Sequence, residues 1–189
     1  MQNGMAQRVL IADDESSARD LWRAQLAELG LEVCAEASTG DDAVKLAEET
    51  QPDIALVDIN MPGRTGLEVA KEISERANCP VVLLTGATNP DLISAAAESG
   101  VYGYLTKPVR LGDLGPMITL TMARFREFDS VRRRLETRTV LQRAKGILMD
   151  NFGLTEDEAH KKIHFAARSN NLPILKVATD VIETKNLPV

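Results

Sequence analysis

The chain has 189 residues, 44% apolar and 26% charged, with a net charge of −6 at pH 7. This is a globular composition and excludes a disordered chain. No apolar run approaches the roughly 18 residues that a membrane span requires, and MQNGMAQRVLIADDE turns acidic where an export signal would stay apolar. A cytoplasmic protein with no membrane partner is expected. Aromatics make up only 4%, so aliphatic side chains must build the core. Cys34 and Cys79 lie in or beside apolar runs, outside any CxxC, and read as reduced core residues.

RVLIA (8–12) reads as a buried strand. Residues 15–29 read as a helix with Ala18, Leu21, Trp22, Leu26 and Leu29 on one face and Gly30 as its stop. EVCAEA (32–37), a helix over 41–50, IALVD (54–58), a helix over 65–77 and PVVLLT (80–85) follow. Asn89-Pro90 opens a helix that runs to about Gly100, and VYGYL (101–105) is a fifth strand. Short apolar strands alternating with helices predict an α/β fold: a five-stranded parallel sheet covered on both faces.

From Leu111 the pattern changes. Leu111, Leu114, Ile118, Phe125, Phe128 and Leu135 fall near a 3-4 spacing broken at Arg132, which predicts a helix of about 25 residues and a short coiled coil, the alternative being a stripe that packs back on its own chain. Its seam, Leu114, Ile118, Phe125 and Phe128, is expected between two chains of an active homodimer. Three helices are expected in 138–187: the first over 138–151, the second opened by the capping box Thr155-Glu156-Asp157-Glu158, the third by Pro173. The domains read as 1–110, a linking helix 111–136, and a small all-α unit 137–189. Charge divides along the same line. Residues 1–123 hold 9 Lys+Arg against 19 Asp+Glu, net −10; residues 124–189 hold 13 against 9, net +4. Two units with different partners are implied.

In parallel sheets, ligands bind at the carboxyl ends of the strands. Asp13 and Asp14 follow the first strand, Asp58 ends the third, Thr85 ends the fourth, and Lys107 follows the fifth. Clustered carboxylates repel one another unless a cation sits among them. An all-oxygen set suits Mg²⁺. A carboxylate oxygen left free can attack a phosphoryl group. Lys107 would neutralise charge on that group, and the Thr85 hydroxyl would bind one of its oxygens.

ADDE (12–15), LVDINMPGRTG (56–66), LLTGA (83–87) and YLTKP (104–108) resemble the receiver domain of bacterial two-component response regulators. The resemblance covers residues 8 to about 123. It implies Asp58 as phosphoacceptor, with a sensor histidine kinase as donor. It implies Mg²⁺ on Asp13, Asp14, Asp58 and the backbone carbonyl of Asn60. Thr85 and Lys107 would contact the phosphoryl group, Gly86 would leave it room, and Tyr104 would be an aromatic switch. It also implies a cis Lys107–Pro108 peptide.

LETRTVLQRAKGILMDNFGLTEDEAHKKIHFAARSNN with LPILKVATDVIE resembles the ANTAR domain, an RNA-binding module of antitermination regulators. Ala144-Lys145-Gly146-Ile147-Leu148-Met149 is the strongest piece. The resemblance implies binding to RNA hairpins in mRNA leaders and prevention of terminator formation. Ala144 and Gly146 leave a helix surface without bulk, and Arg143 and Lys145 supply charge for phosphates, so these four are the expected RNA contacts, with close helix–helix packing of Ala144-Lys145-Gly146 as the alternative or accompanying reading. A response regulator with a DNA-binding or protein-binding output is the alternative. The last helix, PILKVATDVIET, offers a single Lys and two acids, whereas a DNA-reading helix would carry several donors. No separate enzymatic output is expected. His160 and His164 are four apart without a nearby Cys, which reads as packing rather than a metal site.

Overall fold

The computed structural model describes residues 6–86 and 101–186. The helix expected over 89–100 lies outside the described residues. The chain divides into two compact units, residues 1–126 and 127–189.

In the first unit, β1 (Arg8–Ala12), β2 (Glu32–Ala37), β3 (Ile54–Asp58), β4 (Val81–Thr85) and β5 (Gly103–Thr106) form one parallel sheet in the order β2-β1-β3-β4-β5. The three inner strands are buried almost throughout because helices cover both faces. The strand period of two divides their side chains between two layers. Leu10, Val57 and Leu83 pack with α2 (Gly40–Thr50) and α3 (Gly66–Arg76). Ile11, Leu56 and Leu84 pack with Trp22 and Leu26 of α1 (Ser16–Glu28) and with Leu114, Ile118 and Met122 of α4 (Leu111–Phe152). Leu21 and Leu29 of the expected α1 stripe point outward instead, at 51% and 37% exposure.

Two expectations about α4 change. The helices expected over 111–135 and 138–151 are one helix of 42 residues. Residues 117–145 contain neither Gly nor Pro, so nothing stops the helix at 136–138. The expected seam also divides. Leu114 and Ile118 are 0% and 2% exposed in the first unit's own core and are not available to a second chain. Phe125 packs edge-on against Tyr102, ring centroids 5.3 Å apart, and only Phe128 of the four is exposed.

The second unit contains the end of α4, α5 (Glu156–Ser169) and α6 (Ile174–Thr184). Its core is small: Ala144, Leu148, Ala159, Ile163, Ala166, Val177, Ala178 and Val181. The Thr155 capping box forms as expected, with Glu158 N donating to Thr155 Oγ1 (3.3 Å) and Thr155 N to Glu158 Oε2 (2.9 Å). No described helix is long and apolar enough to cross a membrane.

Candidate functional site

The carboxyl ends of β1 and β3, neighbours at the point where strand order reverses, hold the acidic residues. Asp13 is fully buried. Its Oδ1 accepts from Glu15 N at 3.0 Å, and its Oδ2 accepts from Lys107 Nζ at 2.8 Å and from Trp22 Nε1 at 3.5 Å. Arg19 Nη1 donates to the Asp13 carbonyl oxygen at 2.7 Å.

Asp58 is 5% exposed, and its two oxygens differ. Oδ2 lies 3.0 Å from Lys107 Nζ. Oδ1 is buried with no hydrogen-bond partner among the described residues. Such an orphan acceptor is uncommon in a folded interior.

The loop after Asp58 is held close. Gly66 N donates to Ile59 O at 3.0 Å. A Cβ on Gly66 would fall 2.3 Å from the Asp58 carbonyl oxygen and 2.5 Å from Ile59 Cα. Only glycine permits this approach.

Lys107 bridges Asp13 and Asp58, and its own backbone N donates to Thr85 O at 2.7 Å. Burial pulls the ammonium pKa down, but the hydrogen bonds to Asp13 and Asp58 outweigh that and leave it above the ordinary lysine value. The Lys107–Pro108 peptide is cis. Thr85 is buried at the end of β4, and a Cβ on Gly86 would meet nothing within 4 Å. Asn60 is exposed just past β3, and Tyr104 is 39% exposed.

Asp13, Asp14 and Asp58 each offer one carboxylate oxygen, all within 4.8 Å of one another. This is the only such group among the described residues, and the His160–His164 pair, ring centroids 4.2 Å apart, does not join one. Trp22 and Arg19 of α1 are neighbours of the site that no motif in the sequence signals. The 15–29 stripe marks Trp22 as core and gives Arg19 no role, and a helical stripe does not show which carboxylate its members reach.

In the second unit, Ala144 is fully buried and Lys145 is 7% exposed, its Nζ 2.6 Å from Glu156 Oε1. Arg143 is exposed, and a Cβ on Gly146 would meet nothing within 4 Å. The four expected RNA contacts therefore divide, two outward and two inward.

Residues 9–119 match the family described as the response regulator receiver domain. The chain is a response regulator. Residues 129–182 match the ANTAR domain, so this response regulator carries an ANTAR output unit. It is 40% identical over 188 residues to transcriptional regulatory protein PdtaR of Mycobacterium tuberculosis H37Rv, covering 96% of this chain and 92% of that protein. Among solved structures, the receiver domain of a modulated diguanylate cyclase from Desulfovibrio desulfuricans G20 is 31% identical with a TM-score of 0.60, covering 65% of this response regulator and 98% of that chain. Chemotaxis protein CheY4 of Vibrio cholerae is 28% identical with a TM-score of 0.58, covering 62% and 99%.

Proposed function

We propose that this response regulator accepts a phosphoryl group on Asp58 from a sensor histidine kinase in the cytoplasm, and in that state binds hairpin RNA in mRNA leaders to promote antitermination. The observation that carries the first half is the buried, unpartnered Asp58 Oδ1 beside a lysine-bound Oδ2. One oxygen is held, and the other keeps its lone pair for attack on a phosphoryl donor. The P–N bond to the kinase's phosphohistidine breaks as the P–O bond to Oδ1 forms, and the imidazole leaves with the electron pair; with acetyl phosphate the bond that breaks is P–O and acetate leaves. The Lys107 ammonium neutralises charge on the transferred group. Thr85 binds one of its oxygens, and Gly86 leaves space for it. Tyr104 turns inward as Thr85 moves.

The acidic group fits a hard divalent cation, because it offers oxygen ligands alone and Asp14 is open to solvent. Mg²⁺ bound by Asp13, Asp14, Asp58 and the Asn60 carbonyl would add positive charge against the phosphoryl oxygens. Lys107 holds the carboxylates together before that.

We assign phosphoryl acceptance to residues 1–110, linkage to 111–136 and RNA binding to 137–189. The first unit's core extends into the link, through Leu114, Ile118 and Met122. Arg143 and Gly146 face the RNA, while Ala144 and Lys145 support that surface from beneath. The active homodimer forms over Phe128, Val131 and Leu135, which are 60%, 50% and 60% exposed at 3-4 spacing. A DNA-reading output is disfavoured, because Lys176, the one cation of α6, is paired with Asp180 at 2.7 Å.

Acetyl phosphate with Mg²⁺ tests the reading. Intact mass should rise by one phosphoryl group in wild type and in Asp53→Ala, and not in Asp58→Ala. The phosphorylated protein should then retain hairpins from a pool of leader RNAs that the untreated protein releases. Labelling that survives Asp58→Ala would overturn the assignment.

A further inference from the structure

Among the large apolar side chains described, Phe165 is the most exposed, at 73%. It sits on α5, which buries Ala159, Ile163, Ala166 and Ala167 on its other side. Lys161, four residues before, and Arg168, three residues after, share the outward face with Phe165, and Lys162 flanks it. All three cations are exposed. The acids of α5 occupy its first turn, Glu156 to Glu158, and none follows Glu158. Lys161 reaches back to Asp157 at 2.7 Å, whereas Lys162 and Arg168 have no ion pair among the described residues.

A single exposed phenylalanine is ordinary. A flat ring set among three cations favours one class of occupant. An apolar protein face would strip water from those charges without pairing them. RNA satisfies both, because an unpaired base stacks on the ring and its phosphates meet the cations. The burial of Ala144 and Lys145 also leaves the second unit in need of a contact surface beyond Arg143 and Gly146.

We propose that Phe165 is a stacking platform for an unpaired RNA base, with Lys161, Lys162 and Arg168 on the flanking phosphates. This rests on the hairpin-binding reading above and adds a site to it.

The test uses the full chain, treated with acetyl phosphate and Mg²⁺, and a pool of RNA hairpins with randomised loops. The hairpin retained best by wild type is then resynthesised with 2-aminopurine at each loop position in turn. Phe165→Leu keeps apolar bulk and removes the flat face, so it should weaken binding roughly ten-fold or more. Phe165→Trp should retain it. One 2-aminopurine position should be quenched by wild type and not by Phe165→Leu. Arg168→Gln should lower the slope of log affinity against log salt by roughly 0.7. Thermal unfolding of Phe165→Leu should match wild type, since the ring is outside the core. Wild-type affinity in Phe165→Leu would overturn the platform while the hairpin reading stands. A wild type that retains no hairpin at all would overturn the hairpin reading, and the platform with it.

Discussion

Lys145 Nζ donates to Glu156 Oε1 across 2.6 Å, joining the final turns of α4 to the first turn of α5. The lysine is 7% exposed, so its stem fills space as well as carrying charge. Lys145→Ala should therefore lower the melting temperature of residues 127–189 by several degrees, and Lys145→Met should recover most of that loss. Hydrogen exchange of the α5 amides would measure it. Unchanged α5 protection in Lys145→Ala would mean that the lysine acts only at the RNA surface.

The first turn of α5 should also be acid-sensitive. Lys145 holds the Glu156 carboxyl below the ordinary range, Lys161 does the same for Asp157, and the Thr155 backbone N–H and hydroxyl do so for Glu158. A carboxyl lowered in the folded state stabilises fully above its unfolded value, about 4.3 for Glu. That contribution is lost as pH falls through the lowered values. Protection of α5 should be level from neutral pH to about pH 5 and decline below about 4.5. Glu158→Gln should make the decline shallower. An identical acid profile in that variant would contradict the account.

Gly66→Ala should disable the acidic site from behind. The added methyl meets backbone rather than a flexible side chain, so the loop after Asp58 must shift. Such overpacking costs about 1–3 kcal/mol. Denaturant unfolding should show that loss, and acetyl phosphate labelling should slow even where the protein remains folded. Labelling at the wild-type rate would show that the loop position does not matter to Asp58.

Lys107→Ala should expose the repulsion that the lysine now masks. Without the ammonium, Asp13 and Asp58 face one another uncompensated. The variant should melt below wild type in chelator. Mg²⁺ should raise its melting temperature by more than it raises that of wild type, because the cation no longer competes with Lys107. Equal Mg²⁺ shifts would place the cation away from these carboxylates.

The sheet was legible because each strand is a short apolar run ended by a polar residue, as in IALVD and VVLLT. The positions of Asp13, Asp58 and Lys107 followed from those strand ends. Leu114 and Ile118 were misread for a definite reason. A 3-4 stripe reports that one helix face is buried, and the same stripe serves a sheet in the same chain or a helix in another. The continuity of α4 was present in the sequence as an absence of stops. The role of Lys145 was not, because a charge in a sequence does not name its partner, here eleven residues further on. The two oxygens of Asp58 were equally invisible, since their difference depends on where Lys107 lands.

Trp22 is the only tryptophan in the chain, and its indole N–H points at Asp13 Oδ2 from 3.5 Å, both side chains being almost closed to solvent. An indole's emission shifts with the electric field across its ring. The protein thus carries its own optical gauge of charge at the β1 end, one that would register a cation arriving on Asp13 without any attached dye. Because residues 127–189 contain no second indole, that signal originates wholly in the receiver.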